Sequence, residues 1–540
     1  MHRAIKMLQQ NATNPWVVSV FIVFILVASP VLTLLPALAT WGGEVWQHIL
    51  NHLVPGYVSN TLWLMLGVGF LTFVAGTGTA WLVTMFTFPG SRFFAWALIL
   101  PLAIPVYING FAWAGMLSWT SPVYIWLRDT FGINTGPFLF VEILSLEGAV
   151  FILAATLYPY VFLISRTWFL KQSMAFSEVS ASLGRGPLAT FFLVVLPIAR
   201  PAWVAGVSLV LMEVLNEYGL MRYYSVETFT TGIFTAWFAF SDPNAAMRLS
   251  AFLMIFVFAL IFLESYQRRS RLYHQFGANF VPYTVGKLTG AKAMASWLVC
   301  TIPLLAGFVL PVLMLVFWSI STFDQELGAS FWDLLRNSFL LAATSAVIVV
   351  FIALMVAIAV RFKPFKLTRF LAKISTLGYS IPGAVVAIGL ITAFMWVQTS
   401  FSPVVRIVIL GTWLSLIYGY SVRFMAVAYN GIDSALSNIS STIDESSRSL
   451  GKSYLQTFKL VLLPLLKRPV GVGLLLVFID VVKELPITLI LRPFNFDTLA
   501  IRAFELASDE RIAEAAPYAL VVILVGLLPV MFLHKIVPKG

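Results

Sequence analysis

Residues 61–86 read TLWLMLGVGFLTFVAGTGTAWLVTMF, a run without one charged side chain. A transmembrane helix needs about 20 mostly apolar residues, so this run alone is long enough to cross a bilayer. Comparable apolar runs occur along the whole chain, at roughly 17–38, 61–86, 93–117, 148–165, 201–222, 247–264, 295–319, 337–360, 374–396, 404–424, 469–491 and 515–533. The sequence therefore predicts an all-α polytopic membrane protein with about 12 transmembrane helices.

The overall composition supports this class. Of the 540 residues, 60% are hydrophobic and 11% are charged, whereas soluble domains carry about 25% charged residues. This composition excludes an ordinary soluble enzyme, and it excludes a disordered chain because the apolar content is too high. The single cysteine, Cys300, allows neither a disulfide framework nor a cysteine-based metal site.

The positive charges bear on orientation in the membrane. The net charge is +11, and Lys and Arg concentrate in every second loop when the N-terminus is placed inside the cell. Cytoplasmic loops of membrane proteins carry such an excess of positive charge. The pattern predicts that both termini are cytoplasmic. It also points to the lipid bilayer, and not to nucleic acid, as the surroundings of the chain.

An internal repeat relates the two halves of the chain. Residues 177–184 read SEVSASLG and residues 444–451 read DESSRSLG, at an offset of 267. The same offset relates two Leu-Pro pairs, at 196–197 and 463–464, without a gap. Two halves of about six helices each, both entering from the same side, form a parallel pseudo-symmetric repeat about an axis along the membrane normal.

The repeat also predicts the domain organisation. A first half covers residues 1–264, a basic cytoplasmic linker covers 265–292, and a second half covers 293–540. Pro105 matches Pro382 at an offset of 277. Because proline removes a helix hydrogen bond, these two prolines within predicted spans indicate that both halves bend alike.

Two long polar connections, at about 170–200 and 437–468, carry the strongest functional signal. Each contains Glu-x5-Gly and then an apolar helical run that ends in Leu-Pro. Glycine permits a sharp turn, so each segment is predicted to form a helix–turn–helix that docks a partner at the inner surface. The alternative is an interfacial amphipathic helix without a partner, but two copies at matched positions favour docking.

These segments resemble the EAA coupling loops of ABC importer permeases, whose pattern is Glu-Ala-Ala-x3-Gly-x9-Ile-x-Leu-Pro. In this chain the triplets read Glu-Val-Ser and Glu-Ser-Ser, and valine takes the isoleucine position at 194 and 461. The resemblance covers nearly the whole chain and implies a fused, two-half, type I permease in the bacterial inner membrane. The coupling residues that it implies are Glu178, Gly184, Pro197, Glu445, Gly451 and Pro464.

The same resemblance implies the partners. A cytoplasmic ATPase dimer would hold one coupling helix in each subunit, and a periplasmic binding protein would deliver the substrate. The chain has no complete phosphate loop, so ATP is expected to be used by the partner subunit. The chain itself is expected to be a transport subunit and not an enzyme, to hold no permanently bound cofactor, and to work by alternating access.

The substrate is suggested by four short segments. Residues 216–219 and 229–233 in the first half, and 483–486 and 491–494 in the second, resemble segments of bacterial ferric-iron permeases. The implied substrate is ferric iron. Thiamine and phosphonate permeases share the fused plan and stay open as alternatives. A proton-coupled secondary transporter, from a different class, also fits two parallel halves.

Four acidic residues fall within or beside predicted spans: Glu213, Glu217, Asp480 and Glu484. They form two pairs with members four residues apart, and the offset of 267 relates one pair to the other. Charge at membrane depth is costly and usually faces a cavity, so these acids are predicted to line the translocation pathway and to bind a metal cation transiently. The alternative places them at an outer mouth, paired with Lys483, Arg222 or Arg492.

Overall fold

The structure, a computed structural model, describes residues 14–39, 43–118, 121–132, 142–170, 184, 186–269, 286–326, 328–400 and 410–536. Within these ranges nearly all regular structure is helical. The exception is a pair of two-residue parallel strands, β1 (Phe86–Thr87) and β2 (Gly286–Lys287). The prediction of an all-α protein is confirmed.

The helices of the two sequence halves are numbered in chain order. The first half contains α1 (Pro15–Leu32), α2 (Glu44–His48), α3 (Val54–Met85), α4 (Ser91–Ala97), α5 (Val106–Met116), α6 (Pro122–Phe131), α7 (Leu146–Leu170), α8 (Pro187–Thr190), α9 (Leu196–Ile198), α10 (Arg200–Asn216), α11 (Gly219–Tyr223), α12 (Phe229–Phe234) and α13 (Pro243–Arg269). The second half contains α14 (Gly290–Leu304), α15 (Leu310–Glu326), α16 (Ala329–Phe362), α17 (Lys366–Ser375), α18 (Gly383–Ser400), α19 (Trp413–Ser437), α20 (Ser441–Ser449), α21 (Tyr454–Thr457), α22 (Leu463–Lys483), α23 (Pro486–Leu491), α24 (Leu499–Ser508) and α25 (Ile512–Ile536). Short 3-10 helices lie at Leu35–Leu38, Leu100–Ala103 and Thr376–Ser380, and π-helical segments lie at Ile49–Leu53, Phe191–Val195, Thr235–Ala239, Leu305–Val309 and Phe458–Leu462.

Many of these helices are long enough to cross a membrane. In the described residues eight stretches have the required length and apolar character, or eleven if each of three bent helix pairs counts as one span. The chain is therefore a multi-pass membrane protein. The predicted span 404–424 overlaps α19, which begins later, at Trp413, and runs on to Ser437. Residues 401–409 lie outside the described ranges, and the number of twelve helices stays a prediction.

Each half contains a proline break of the same kind. The residues before the two prolines, Ile104 and Ile381, are both extended with ψ of 125°. A residue before proline avoids the helical region, and the proline itself has no N–H to donate. The flanking helices meet at 94° around Pro105 and at 117° around Pro382. The predicted matched bends are confirmed, although the prolines separate two helices instead of kinking a continuous one.

The helices pack into two compact units that interleave along the sequence. Unit one contains Met1–Gly43, Ile233–Met254 and Gly328–Ile501. Unit two contains Glu44–Gly232, Ile255–Leu327 and Arg502–Gly540. Each unit thus combines the middle of one sequence half with terminal segments of the other. The predicted boundaries at 264 and 293 concern the sequence repeat and stay a prediction, because the two units are defined by packing and not by the repeat.

Unit two is built on close contact among α3, α7 and α10. Gly76 of α3 and Gly206 of α10 both lie against Val161 of α7, where an added Cβ would come within 2.7 and 2.8 Å of it. Small residues let membrane helices approach closely, because van der Waals packing drives their association. Buried apolar side chains fill the rest of this core, including Leu64, Val68, Ile152, Leu153 and Val210.

In unit one the N-terminal helix α1 packs against α18 and α19. The hydroxyl of Tyr418 donates to the carbonyl oxygen of Leu26 at 2.8 Å. The hydroxyl of Thr33 donates to the carbonyl oxygen of Gly389 at 3.0 Å. A Cβ at Gly389 would lie 2.2 Å from the carbonyl oxygen of Pro30, so the two backbones meet where a side chain is absent. The sequence repeat did not indicate that α1 belongs with helices of the second half.

Candidate functional site

The second predicted coupling segment is a helix–turn–helix. Its first helix, α20, begins after Ser440, whose hydroxyl oxygen accepts the N–H of Thr442 at 3.3 Å. Gly451 then turns the chain with φ of +80°, a conformation that disfavours any residue with a Cβ. Ser453 and Gln456 form a reciprocal capping box that starts α21, with hydrogen bonds of 2.9 and 3.3 Å. The predicted sharp turn at this glycine is confirmed.

Side-chain contacts join α20 to α21. The hydroxyl oxygens of Ser447 and Thr457 are buried and lie 3.0 Å apart. The guanidinium of Arg448 lies 4.2 Å from the ring centroid of Tyr454 and donates to its hydroxyl at 2.8 Å. A cation over an aromatic face is attracted by the ring quadrupole. These contacts make the two short helices one structural element.

Arg361, in the last turn of α16, ties this element to the body of unit one. Its Nε donates to Oδ2 of Asp444 at 2.7 Å. Its Nη1 donates to the carbonyl oxygens of Leu436 and Ile439 at 2.6 and 3.0 Å. Carbonyls at a helix C-terminus lack helical donors, so a cation there satisfies them and complements the helix dipole. A displacement of α20 would therefore act directly on the ends of α16 and α19.

The first coupling segment repeats the second where it is described. Gly184 has φ of +75°, and the π-helical segments Phe191–Val195 and Phe458–Leu462 stand at the offset of 267. The next step differs, because the helices around Ala199 meet at 72° whereas Tyr454–Lys483 forms one stretch. Glu178 lies outside the described residues.

The described members of the predicted coupling set lie at the surface: Gly184, Pro197, Glu445, Gly451 and Pro464. Large apolar side chains beside them are exposed as well. Leu450 is 80% exposed, and Leu188 and Leu455 are 65% and 52% exposed. Exposed apolar groups of this kind mark interaction sites on proteins or membranes. Their matched positions support the coupling role, which stays a prediction.

Glu484 ends α22 and caps the helix that follows. Its Oε1 accepts the N–H of Ile487 at 2.8 Å, and its Oε2 accepts the N–H of Thr488 at 3.0 Å. The hydroxyl of Thr488 also donates to Oε2, at 2.7 Å. The first N–H groups of a helix have no helical acceptors, so this carboxylate supplies acceptors to α23. The acid is buried, with 5% of its surface exposed.

A buried cation balances this acid. Nη1 of Arg423, near the middle of α19, lies 3.5 Å from Oε1 of Glu484, and both side chains are buried. Gly383 makes room for the pair, because a Cβ there would lie 2.6 Å from that Nη1 and 3.1 Å from that Oε1. Removing one member of a buried pair leaves an uncompensated charge. The pair therefore holds α19 to the break between α22 and α23.

For Glu484 the structure shows a cation that the sequence did not suggest. Lys483, Arg222 and Arg492 were the cations suggested for the four acids, whereas the cation beside Glu484 is Arg423. The predicted span 404–424 placed this arginine at a span end, where a cation is unremarkable in a membrane protein. The observed α19 continues for fourteen residues beyond it, to Ser437, so Arg423 lies well inside the helix.

Glu217 makes the corresponding break in the first half. It follows α10 with φ of −71° and ψ of 118°, close to the −69° and 131° of Glu484. Its Oε1 accepts the N–H of Leu220 at 2.8 Å, three residues on, as Oε1 of Glu484 does from Ile487. The hydroxyl of Thr230 donates to its carbonyl oxygen at 2.9 Å. The repeat thus gives both acids the same backbone role.

Glu213 and Asp480 lie one turn before the two breaks and are half-buried. Glu213 and Glu217 belong to unit two, whereas Asp480 and Glu484 belong to unit one. In the part of the chain that the structure describes, no three His, Cys, Asp or Glu side chains are grouped so that they could hold a metal ion. The role of the four carboxylates in a pathway or in cation binding stays a prediction.

Comparison with known proteins identifies the class. Residues 349–539 match the family of binding-protein-dependent transport system inner membrane components. The matched region includes the second coupling segment and the break at Glu484. The chain carries an inner-membrane permease domain. The resemblance of the chain to ABC importer permeases is thereby confirmed, and so is a multi-pass inner-membrane location.

The permease is similar over most of its length to ferric transport permeases. It is 29% identical over 484 residues to the Fe(3+)-transport system permease protein FbpB 2 of Haemophilus influenzae. The aligned region covers 88% of this chain and 89% of that protein. It is 23% identical to the ferric transport system permease protein FbpB of Actinobacillus pleuropneumoniae, over 92% of this chain and 74% of that protein. A putative 2-aminoethylphosphonate transport system permease protein, PhnV of Salmonella typhimurium, is 24% identical over 41% of this chain and 81% of its own length. All three relatives are named as permease proteins of transport systems.

Proposed function

We propose that this permease is the membrane-spanning subunit of an ATP-driven importer for ferric iron that works by alternating access. The substrate assignment is supported by the similarity to ferric transport permeases over 88% of the chain. The assignment to an ATP-driven system is supported by the two coupling segments, which present matched left-handed glycine turns and exposed apolar side chains.

The proposal includes two partners. A cytoplasmic ATPase dimer would dock one coupling segment in each subunit and would hydrolyse ATP, so the permease itself needs no bound cofactor. A periplasmic binding protein would deliver the iron. On this proposal Arg361 passes the movement of α20 to α16 and α19, because it belongs to α16 and its side chain bonds both α20 and α19.

The two glycine turns offer a test of the coupling role. Gly184→Val with Gly451→Val puts β-branched residues into left-handed turns, although no heavy atom of the described residues crowds either position. We expect iron uptake to be lost in vesicles that contain the ATPase and the binding protein, with normal membrane insertion. Asparagine at the same two positions tolerates this backbone and serves as the matched control. Wild-type uptake by the double valine variant would contradict the coupling role.

We also propose that acids near the two helix breaks line the iron pathway. A trivalent cation is a hard acid that prefers oxygen donors, and charge at membrane depth must be compensated in stages. Because Glu484 caps α23 and faces Arg423, we assign it to holding the break. Glu213, Glu217 and Asp480 are then the acids assigned to the cation.

Charge removal in the first half tests this pathway. Glu213→Gln with Glu217→Gln keeps side-chain size and removes both charges. We expect iron uptake to be abolished while the ATPase still copurifies with the permease. Glu147→Gln, at an exposed position in the first turn of α7, is the control and should transport normally. Unchanged uptake by the double variant would show that these acids do not carry the cargo as a bare cation.

The 2-aminoethylphosphonate relative favours a second candidate substrate, a phosphonate. The same vesicles can decide between them when ATP-dependent accumulation of ferric iron, 2-aminoethylphosphonate and thiamine is measured side by side. Accumulation of iron without ATP, driven by a pH gradient, would instead support a proton-coupled secondary transporter.

The proposed orientation places both termini in the cytoplasm. Cysteine at Ser508 should react with an impermeant thiol reagent in intact spheroplasts, and cysteine at Ser449 should be protected; both positions are exposed. The native Cys300 is buried and is first replaced by alanine. The reverse labelling pattern would overturn the orientation.

A further inference from the structure

The short helix α17, with the sequence KLTRFLAKIS, presents two different faces. One face is buried in unit one: Thr368, Leu371, Ala372 and Ser375. These positions follow the i, i+3, i+4, i+7 spacing of a single helix face. Apart from the half-buried Ile374, the rest of the helix is exposed, so the residues on its other side are available to a partner.

The exposed side combines three cations with large apolar groups. Lys366, Arg369 and Lys373 are exposed at i, i+3 and i+7 and therefore lie in one row. Leu367 and Phe370, exposed by 50% and 59%, form a second row beside the first. No Asp or Glu occurs anywhere in residues 334–432, so no neighbour in sequence neutralises the row of cations.

The position of α17 puts this face at a membrane surface. The helix starts four residues after α16 ends. Arg361 in the last turn of α16 bonds Asp444 of α20, so α17 begins on the membrane face that carries the coupling segment. The stretch Lys366–Ser380 meets the helix after Pro382 at 117°. Where α18 crosses the bilayer, α17 must therefore lie closer to the membrane plane than to its normal.

We propose that the exposed face of α17 binds the headgroups of anionic phospholipids, with Leu367 and Phe370 inserted among the acyl chains. A basic amphipathic helix that lies in the interface plane buries its apolar row in the acyl boundary and offers its cations to phosphates. At this depth the hydrocarbon of the bilayer lies beside the apolar row. A soluble protein partner would not supply that environment. The charge and the position therefore favour lipid over a protein partner.

The first half offers a weaker version of the same surface. At the offset of 277, Arg92 and Phe93 of α4 match Arg369 and Phe370, and all four side chains are exposed. Pro89 and Trp96, however, stand where α17 has Lys366 and Lys373. The lipid site is therefore assigned to the second half.

The test uses the full-length permease in detergent with added phosphatidylglycerol or phosphatidylcholine, and it counts retained lipids by native mass spectrometry. Because each cation near an anionic surface adds to the attraction, Lys366→Gln, Arg369→Gln and Lys373→Gln together should weaken phosphatidylglycerol binding by about tenfold or more. Phosphatidylcholine binding should not change. The matched control removes three exposed cations outside both coupling segments: Arg128→Gln, Lys287→Gln and Lys292→Gln.

Three results would overturn the proposal. An equal loss in the control variant would mean a general effect of net charge. Unchanged phosphatidylglycerol binding combined with loss of the copurifying ATPase would make α17 a protein-docking surface. Displacement of the lipid by millimolar inorganic phosphate would show that the cations bind phosphate without the bilayer. Lys366→Arg with Lys373→Arg should retain the lipid, which separates charge from a folding defect.

Discussion

The two halves of the permease break a helix at the same glutamate but surround it differently. Glu217 and Glu484 have nearly the same backbone angles and accept the N–H three residues on. The helices α7 and α19 are matched at the offset of 267, yet Thr156 stands where α19 has Arg423. Thr156 accepts a hydrogen bond from Asn109 at 2.5 Å, whereas Arg423 faces Glu484.

This difference separates what the break requires from what one half has added. Capping requires only an acceptor oxygen at the break, and each half supplies one. The second half adds a buried cation and, with it, the space at Gly383. The first half has the buried side chain of Val106 at that position, at the offset of 277. The backbone of the repeat is thus constant while the electrostatics of the two halves diverge.

Removing the cation should have the largest effect. Arg423→Met leaves Glu484 buried without its partner, and breaking a buried pair costs about 3–5 kcal/mol of unfolding free energy. Thr156→Val, the matched change in the first half, should cost less, about 1–3 kcal/mol, because it removes the neutral hydrogen bonds to Asn109 and to the carbonyl oxygen of Ile152. Unfolding by SDS in mixed micelles measures both. Equal stability of the two variants would remove the distinction between the halves.

The same contrast should appear, with smaller magnitude, when the acids are changed. Glu484→Gln weakens hydrogen bonds to a charged acceptor and leaves Arg423 uncompensated, so it should cost at least about 1.5–3 kcal/mol. Glu217→Gln keeps an amide oxygen for Leu220 at a half-buried site and should cost about 1 kcal/mol. The midpoints of unfolding of the two variants, measured in one detergent, give the comparison. A greater loss for Glu217→Gln would reverse our assignment of the structural acid.

The sequence predicted the parts of this comparison that are local. The offset of 267 paired the two glutamates and the two coupling glycines, and left-handed φ values at Gly184 and Gly451 confirm the turns. Proline chemistry likewise predicted the breaks after Ile104 and Ile381, because the residue before proline avoids the helical region.

The parts that were missed depend on contacts between distant segments. Arg423 and Glu484 are 61 residues apart in the sequence. Hydropathy alone predicted that the helix of Arg423 ends one residue after this arginine. The room left by Gly383 becomes visible only when three helices meet. The exchange of α1 into unit one was missed for the same reason, since repeat spacing carries no information about which helices pack together.

Filling the space at Gly383 tests whether the pair depends on it. Gly383→Ala puts a methyl group 2.6 Å from Nη1 of Arg423, and such overpacking costs about 1–3 kcal/mol. Gly431→Ala is an exposed change on α19 itself, and no heavy atom of the part of the chain that the structure describes would lie within 4 Å of the added methyl group, so it should stabilise the helix by about 0.5–1 kcal/mol. The two substitutions are therefore expected to change the unfolding free energy in opposite directions. If both variants were more stable than the parent, the pair of Arg423 and Glu484 would not depend on the space at Gly383, because its side chains would move aside easily.

The smallest expected difference lies in the coupling segments. Ser453 caps α21, whereas Gly186 stands at the matched position in the first segment. Ser453→Ala should cost about 1 kcal/mol of local stability. Gly186→Ser should add about 0.3 kcal/mol of local stability, because serine caps slightly better than glycine. Both positions are exposed, so overall unfolding should change little. Hydrogen exchange of the amides that follow each cap measures the local effect: exchange after position 453 should become about fivefold faster, and exchange after position 186 slightly slower. Unchanged exchange in Ser453→Ala would mean that the contact between Ser447 and Thr457, and not the cap, holds this turn.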